Sequence, residues 1–373
     1  MIITLQGDNY GATLQSVALN KKTNALGVLA ENLHYNDKNR VFGSLSTFGK
    51  IKYLLRKKVI VPLLIGNKKK KRFEEFRQKH LKQSAQKWTT KEDLLANPPC
   101  YDVYVSGSDQ IWNPDVIVND YNYLLAFAPD DKKKVAYASS FGKAGIPESK
   151  REIYQKYLSR YSEIGVREES GTRLVQDLTG KACTTVLDPT LLLTKDEWAQ
   201  FAKENKEEEP YVLCYYMPGD DTVCNAIASI AQRISEQKGL KIINLGLKEH
   251  YRLKRNFDFR ATAGPEEFLT LFLHADYVVT NSFHGTAFAT NFHKQLYVPI
   301  NTAVDSKKAR HTRITDYLRL IGLEEATVPI VPDFKPLNFT LKEIDYENAG
   351  RVLEKKREES IEFLARAISG EEV

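Results

Sequence analysis

Short apolar runs alternate along the chain with longer segments whose apolar residues recur at helical spacing. The first run, Ile2–Leu5, is followed by Ala12–Leu19, in which Leu14, Val17 and Ala18 share one helical face. The pattern predicts an α/β protein in which strands and helices alternate and the sheets are open and parallel. Further strand-like runs lie at Tyr101–Val105, Lys134–Ala138, Ile164–Val166, Tyr211–Tyr215, Leu240–Leu245, Tyr277–Val279 and Gln295–Ile300.

A charged stretch interrupts this alternation in the middle of the chain. Residues Thr194–Glu209 end in a highly charged segment without apolar periodicity, so we predict a linker there. We expect a first Rossmann-like domain over 1–200, with a basic helical insert over 43–95, and a second Rossmann-like domain over 201–340. The remaining residues, 341–373, contain a long charged helix that we expect to pack back on the first domain. Within the first domain, Gly27–Ala30 is predicted to be the second strand and Val186–Leu193 the closing segment.

Composition is that of a soluble globular protein. Of 373 residues, 42% are hydrophobic and 27% are charged. No apolar run approaches the roughly 20 residues that span a bilayer, and no secretory signal precedes the first strand, so we expect a cytoplasmic protein. The four cysteines form no Cys-x-x-Cys pair, and no cluster of metal ligands is visible.

Positive charge is concentrated in one part of the chain. The net charge is +6, and much of the excess lies at Lys50–Lys58 and Lys68–Lys82. This is too mild and too local to indicate a nucleic-acid partner. The positive charge is compatible with small acidic substrates, or with peripheral binding of the Lys50–Lys82 region to the inner face of an anionic membrane. A run such as Lys68–Arg72 is most often simply a solvated helix start.

The clearest candidate for chemistry is a histidine that follows a buried strand. Tyr277–Val279 leads through small polar residues to Ser282, Phe283, His284 and Gly285, after which a helix begins. In α/β domains such a junction lies in the crevice at the carboxyl end of the sheet, where ligands bind. Helix N–H groups there favour an anion, and His284 can supply a proton or a positive charge. The alternative is an ordinary core histidine.

Polar residues also follow strands in the first half of the chain. Tyr101–Val105 runs into Ser108, Asp109 and Gln110, where Asp109 could take a proton from a hydroxyl or only cap the next turn. The turn that contains Asn9, Tyr10 and Gly11 could be a ligand loop or simply a tight turn, because it lacks the Gly-x-Gly-x-x-Gly dinucleotide pattern.

An arginine follows a third strand of the first half. Arg167 comes directly after Ile164–Val166, with the start of a helix behind it. A guanidinium at this place suits a phosphate or a carboxylate. A structural ion pair with Glu168 or Glu169 is the equal alternative.

Five strings occur in order along the chain, namely Asn9–Gln15, Gly107–Asn113, Gly165–Glu168, Leu187–Pro189 and Ser282–Gly285. Together they resemble the polysaccharide pyruvyl transferase family. The resemblance implies two Rossmann-like domains facing a cleft, similar to the GT-B glycosyltransferases, with the active site in that cleft. It implies phosphoenolpyruvate as the donor and a sugar or lipid-linked oligosaccharide as the acceptor, with no further cofactor. The product would be a pyruvate ketal on a bacterial capsular polysaccharide or exopolysaccharide.

The resemblance also assigns roles. It makes His284 and Arg167 the functional residues, with His284 as the acid that protonates the methylene carbon of the donor. Asp109 is the carboxylate best placed to take a hydroxyl proton. Some relatives carry a basic residue where this chain has Ser282, and Arg313 or Arg310 could supply that contact. Two other classes of protein share the architecture, a glycosyltransferase with a nucleotide-sugar donor and a non-catalytic membrane scaffold.

Overall fold

The protein divides into two compact domains. The computed structural model describes residues 1–36, 63–205, 207, 209–217, 220–246, 257–302, 312–331 and 339–369. The first domain comprises Met1–Leu192 together with Lys356–Val373, and the second comprises Leu193–Lys355.

The first domain is built on a sheet in which every pairing is parallel. The described strands lie in the order β3-β2-β1-β4-β5-β6-β7, so the strand order reverses between β1 and β4. Crossover connections of this kind place helices on the faces of the sheet. The strands are β1 (Ile2–Ile3), β2 (Asn32–Tyr35), β3 (Gln83–Trp88), β4 (Val103–Ser106), β5 (Lys133–Ser139), β6 (Glu163–Val166) and β7 (Thr184–Thr185).

Two helices of the first domain show how side chains and backbone set a helix boundary. The helix α1 starts at Tyr10 behind an Asn9 cap, and α6 ends where Gly180 adopts φ +68°, a left-handed conformation that glycine accommodates easily. The described helices are α1 (Tyr10–Ala25), α2 (Leu63–His80), α3 (Lys91–Ala96), α4 (Pro114–Ile117), α5 (Arg151–Leu158) and α6 (Glu169–Thr179).

The second domain repeats the same strand order. Its described strands lie in the order β10-β9-β8-β11-β12-β13, all pairings are parallel, and the order reverses between β8 and β11. The strands are β8 (Tyr211–Tyr215), β9 (Lys241–Asn244), β10 (Phe257–Phe259), β11 (Tyr277–Thr280), β12 (Gln295–Asn301) and β13 (Thr327–Ile330). The helices are α7 (Lys195–Ala199), α8 (Asp221–Lys238), α9 (Pro265–His274), α10 (Phe283–Asn291) and α11 (Thr312–Leu320). The predicted pair of parallel α/β domains is therefore confirmed.

A last helix, α12, extends from Glu347 to Ser369. Phe363 and Leu364 belong to the apolar core of the first domain, where the Phe363 ring lies 6.3 Å from the ring of Tyr137. Ser360 accepts a hydrogen bond from the N–H of Leu187 at 3.0 Å. The second half of α12 is thus an integral part of the first domain.

The closing segment Val186–Leu193 contains a 3₁₀ turn over Pro189–Leu191. Two local predictions were wrong. Gly27–Ala30 is the turn after α1, since Gly27 adopts φ +80°, and the second strand begins at Asn32. The predicted linker begins with α7, whose capping box joins Thr194 and Glu197.

Among the residues that the structure describes, no helix combines the length and the apolar character needed to cross a bilayer.

Candidate active site

The first group of predicted site residues lies at the carboxyl ends of β1 and β4. These two strands are neighbours at the reversal of strand order, the place where α/β sheets usually bind ligands. Asn9 is exposed, and its side chain accepts a hydrogen bond from the N–H of Ala12 at 3.2 Å. Tyr10 and Gly11, in the first turn of α1, are buried. The loop is therefore a well-capped helix start.

Helix α2 brings two cations to this loop. The ammonium of Lys69 lies 4.5 Å from the centre of the Tyr10 ring. Burial lowers the pKa of Lys69, and the nearby carboxylate of Asp8 opposes that shift. Arg77 donates to Asp8 at 3.2 Å and to the carbonyl of Gly7 at 3.1 Å. The other predicted basic segment, Lys50–Lys58, lies outside the described residues.

After β4, the side chains of Ser108 and Gln110 bond within the protein. Ser108 is fully buried, and its hydroxyl donates to Oδ2 of Asp188 at 3.1 Å. The carbonyl of Ser108 accepts a hydrogen bond from Thr4 at 3.2 Å. Gln110 accepts from Asn113 at 2.8 Å. Both residues thus contribute to the shape of the loop.

Asp109 differs from its neighbours in both conformation and exposure. Its φ of +73° is left-handed, which is unusual for a residue other than glycine. Its carbonyl accepts from the N–H of Ser140 at 3.0 Å, and its side chain is 15% exposed. A strained backbone persists where surrounding bonds over-determine it, and such residues are concentrated at functional sites.

Arg167 lies among three carboxylates. Its side chain is 2% exposed, and Nη1 donates to Oδ2 of Asp188 at 2.8 Å. Oxygens of Glu168 and Asp109 lie 3.8 and 3.9 Å from the guanidinium nitrogens. Burial disfavours the charge, but the three carboxylates outweigh it and raise the pKa of Arg167. Of the two glutamates predicted as ion-pair partners, Glu168 is near, whereas Glu169 pairs with a residue of its own helix.

Further polar residues complete this arrangement, and two of them, Ser140 and Thr190, were not among the predicted site residues. Asp188 accepts hydrogen bonds from the backbone N–H and the hydroxyl of Thr190 at 3.0 and 2.8 Å, in addition to those from Arg167 and Ser108. The hydroxyl of Ser140 donates to Glu168. Ser140 directly follows β5, so its place at a strand end is a signal from which the sequence could have predicted it. We call Asp109, Arg167, Glu168 and Asp188 the acidic cluster.

The second group of predicted residues forms the start of α10. Ser282 is the cap, and its hydroxyl accepts from the N–H of Gly285 at 3.3 Å. His284 is the second residue of the helix and is 9% exposed. Its ring lies 5.5 Å from that of Phe283, which in turn lies 5.8 Å from the ring of Tyr317. No acidic residue occupies the first turn of α10.

The loop before α10 is held from the neighbouring strand. Asn281 follows β11, and its side-chain amide accepts from the N–H of Met217 at 2.7 Å and donates to the carbonyl of Met217 at 3.0 Å. Met217 follows β8, so this pair of hydrogen bonds joins the ends of β8 and β11, the two neighbouring strands at which the strand order of the second sheet reverses. Arg313 is the second residue of α11, one turn from Tyr317, whereas Arg310 lies outside the described residues.

Comparison with protein families decides the identity of the chain. A family model described as polysaccharide pyruvyl transferase matches residues 9–300, which is most of the sequence. The chain belongs to the polysaccharide pyruvyl transferase family. Both predicted groups of site residues lie within the matched range, except for Arg313. None of the curated proteins compared with this pyruvyl transferase matches it significantly.

Several solved structures resemble the fold of this pyruvyl transferase at low identity. UDP-GlcNAc 2-epimerase from Methanocaldococcus jannaschii is 13% identical, with a TM-score of 0.47 over 95% of this chain and 90% of the epimerase. MnaA of S. aureus, solved with UDP, is 9% identical, with a TM-score of 0.48 over 98% of this chain and 90% of MnaA. The heptosyltransferase WaaC of E. coli, solved with ADP, is 10% identical, with a TM-score of 0.42 over 95% of this chain and 98% of WaaC.

Proposed function

We propose that this pyruvyl transferase moves the pyruvyl group of phosphoenolpyruvate onto two hydroxyls of one sugar residue and releases phosphate. The sugar is a galactose-type residue of a bacterial surface polysaccharide or of its lipid-linked precursor. The observation that carries the proposal is the position of His284 at the start of α10, beside the reversal point of the second sheet. The family supports the transfer, and this position supports an anionic donor.

The start of α10 has the properties that an anionic donor requires. Phosphoenolpyruvate carries a phosphate and a carboxylate, and the first N–H groups of a helix bind such anions. The first turn of α10 carries no carboxylate that would repel them. Arg313, one turn before Tyr317 on α11, is the candidate for an additional contact with the donor.

The proposed pyruvyl transfer consists of proton transfers and bond changes in which every proton is accounted for. His284 donates a proton to the methylene carbon of the donor, so that C2 becomes electrophilic. The first sugar hydroxyl adds to C2 and gives its proton to Asp109. The C2–O bond to phosphate then breaks, the second hydroxyl forms the second C–O bond, and its proton leaves with the phosphate. The product is a cyclic ketal with a methyl group and a free carboxylate, and exchange with solvent then removes the proton from Asp109 and restores the proton of His284.

Substitution of His284 tests this assignment. We expect His284→Ala and His284→Gln to lower phosphate release from phosphoenolpyruvate in the presence of galactosides by about 10²-fold or more. The melting temperature should stay within about 2 °C of the wild type, because the change removes no large part of the core.

The matched control is His274→Ala. His274 is exposed and precedes β11, so it lies at the opposite edge of the same sheet, and its loss should leave turnover unchanged. Full activity of His284→Ala would contradict the role of His284. A wild-type protein that releases no phosphate with any galactoside would contradict the proposed function itself.

A further inference from the structure

Lys69 is a cation on the inward face of α2. Phe73 and Phe76, four and seven residues further along, are buried on the same face, so Lys69 occupies a position that an apolar residue would normally fill. Its neighbours Lys68 and Lys70 are exposed, whereas Lys69 is partly buried. Burial disfavours the charged form and lowers the pKa of Lys69. The packing of α2 therefore does not explain why this position carries a charge.

The ammonium of Lys69 lies beside the first turn of α1. It is 4.5 Å from the centre of the Tyr10 ring and 5.7 Å from the centre of the Phe73 ring. Aromatic faces attract a cation but accept none of its N–H groups in the way that an oxygen does. Among the residues that the structure describes, no carboxylate or carbonyl oxygen pairs with this ammonium. Its three N–H donors are therefore available to a ligand.

The carboxylate nearest in effect, that of Asp8, is occupied by another cation. Its Oδ1 accepts hydrogen bonds from Nη1 and Nη2 of Arg77 at 3.3 and 3.2 Å. Arg77 also donates to the carbonyl of Gly7 at 3.1 Å, so the same guanidinium holds the loop between β1 and α1. Asp8 and Arg77 compensate each other's charge. The charge of Lys69 is thus left over in this part of the first domain.

The loop after β1 is a place where a ligand is expected. Strand order in the first sheet reverses between β1 and β4, and α/β sheets bind ligands beside the carboxyl ends of such strands. A lysine ammonium is a compact charge with rotatable donors, and phosphate oxygens are among its usual partners. The proposed function assigns both anionic groups of the donor to the start of α10. An anion beside Lys69 therefore belongs to the acceptor.

We infer that Lys69 contacts a phosphate group that joins the acceptor sugar to its carrier, so that the acceptor is a phosphate-linked sugar and not a free glycoside. Nucleotide-linked and polyprenyl-linked sugars share this chemistry. The inference rests on the proposed function and deepens it, because it states what the acceptor sugar is attached to.

The variant Lys69→Met tests the contact. Methionine keeps an unbranched apolar side chain on Tyr10 and removes the charge. We expect the KM for the phosphate-linked acceptor that the wild type uses to rise about 10- to 100-fold, as expected when a hydrogen bond between charged groups is lost. The acceptors to compare are UDP-galactose and galactosyl diphosphofarnesol. The KM for methyl β-galactoside, which has no phosphate, and the KM for phosphoenolpyruvate should stay within two-fold.

Lys71→Met is the matched control. Lys71 lies two residues further along the same helix, its side chain is 77% exposed, and it pairs with Glu75 on the helix surface. We expect this variant to match the wild type with every acceptor. The melting temperature of Lys69→Met should not fall by more than about 2 °C, because the change removes a partly desolvated charge and leaves the apolar contacts.

The outcomes name the carrier or overturn the inference. A KM that rises in Lys69→Met with UDP-galactose supports a nucleotide-linked acceptor, and a rise with galactosyl diphosphofarnesol supports a lipid-linked one. Three results would overturn the inference: a wild type that uses methyl β-galactoside as well as both phosphate-linked sugars, unchanged acceptor KM values in Lys69→Met, or a ten-fold rise in its KM for phosphoenolpyruvate.

Failure of the proposed function gives a different result. If the wild type releases no phosphate from phosphoenolpyruvate with any of the three acceptors, the proposed function is wrong. The contact is then decided by the Kd of UDP-galactose and of galactosyl diphosphofarnesol, measured calorimetrically without donor. A Kd that rises ten-fold or more in Lys69→Met but not in Lys71→Met supports the contact. Equal Kd values in the three proteins, or no binding to the wild type, refute it.

Discussion

The junction between β6 and α6 and the junction between β11 and α10 have the same backbone plan. In both, the helix cap is the second residue after the strand, and a glycine is the third residue of the helix. The caps differ, because Ser282 bonds to its own helix whereas Glu168 turns away to Ser140. The residues before the caps differ as well, since Arg167 joins the acidic cluster and Asn281 holds Met217.

This difference gives the two junctions different local charge. The first junction concentrates carboxylates around the buried guanidinium of Arg167. The second has no carboxylate in the first turn of its helix. The same strand order in two domains thus carries two strand-to-helix junctions of different charge.

The largest effect on stability should come from Asp188→Asn. This change removes the closest counter-charge of the buried Arg167, and breaking such a pair costs about 3–5 kcal/mol in the free energy of unfolding. Urea unfolding followed in the first domain measures it. Asp130→Asn is the control, because Asp130 is 90% exposed in its pair with Arg160, and exposed pairs contribute about 1 kcal/mol or less. Equal losses of unfolding free energy in the two variants would show that the buried pair of Arg167 and Asp188 does not stabilise the acidic cluster.

A smaller effect should distinguish the two junction glycines. A Cβ at Gly285 would lie 2.5 Å from Oγ1 of Thr280 and 3.0 Å from Cδ1 of Tyr215, so we expect Gly285→Ala to cost about 1–3 kcal/mol. A Cβ at Gly171 would meet Val166 at an ordinary 3.5 Å. Gly171→Ala should therefore be neutral, or stabilise α6 by up to about 1 kcal/mol. Denaturant midpoints of the two variants test this, and a similar loss in both would contradict the difference between the junctions.

A pH-dependent effect should come from Lys294, a partly buried cation whose neighbouring carboxylate does not offset the cost of burial. Lys294 follows α10, and burial, followed by the charge of Lys195, lowers its pKa from 10.5 to about 8 despite the opposing carboxylate of Asp276. Between these values the unfolded chain binds more protons than the folded one, so the stability of the wild type rises with pH. We expect Lys294→Met to be more stable than the wild type at pH 7, with an advantage that shrinks between pH 8 and 10.5. Unfolding free energies at pH 7 and 10 measure the gap, and a gap that does not change with pH would refute the explanation.

The sequence was most informative where an apolar run met a capping residue. Tyr211–Tyr215 is the strand that its apolar residues predict, and Gly180 ends α6 as its position suggests. The sequence did not reveal β3, because Gln83–Trp88 is largely polar and its strand character comes from pairing with β2. It also missed α7, whose start depends on a capping box and not on apolar periodicity.

The candidate site was predictable in position but not in its bonding. Strand ends pointed to Asp109, Arg167 and His284, because parallel strands bring their carboxyl ends to one edge of each sheet. The partner that fixes Arg167 is Asp188, which lies 21 positions further along the chain, and no local pattern connects the two. The roles of these residues stay predictions until the variants are measured.

The first domain is built from two stretches of the chain that lie far apart in sequence, and this affects how it folds during translation. Its core includes Phe363 and Leu364 of α12, so the domain is incomplete until residues after Lys355 have been added. The 163 residues of Leu193–Lys355 are translated in between. At about 5–20 residues per second, this takes roughly 8–33 s. During that interval the second domain can fold as a continuous segment, while the nascent first domain exposes the apolar surface that α12 later covers. A chaperone that binds exposed apolar surface would therefore bind the nascent first domain on the face of the sheet against which Phe363 later packs.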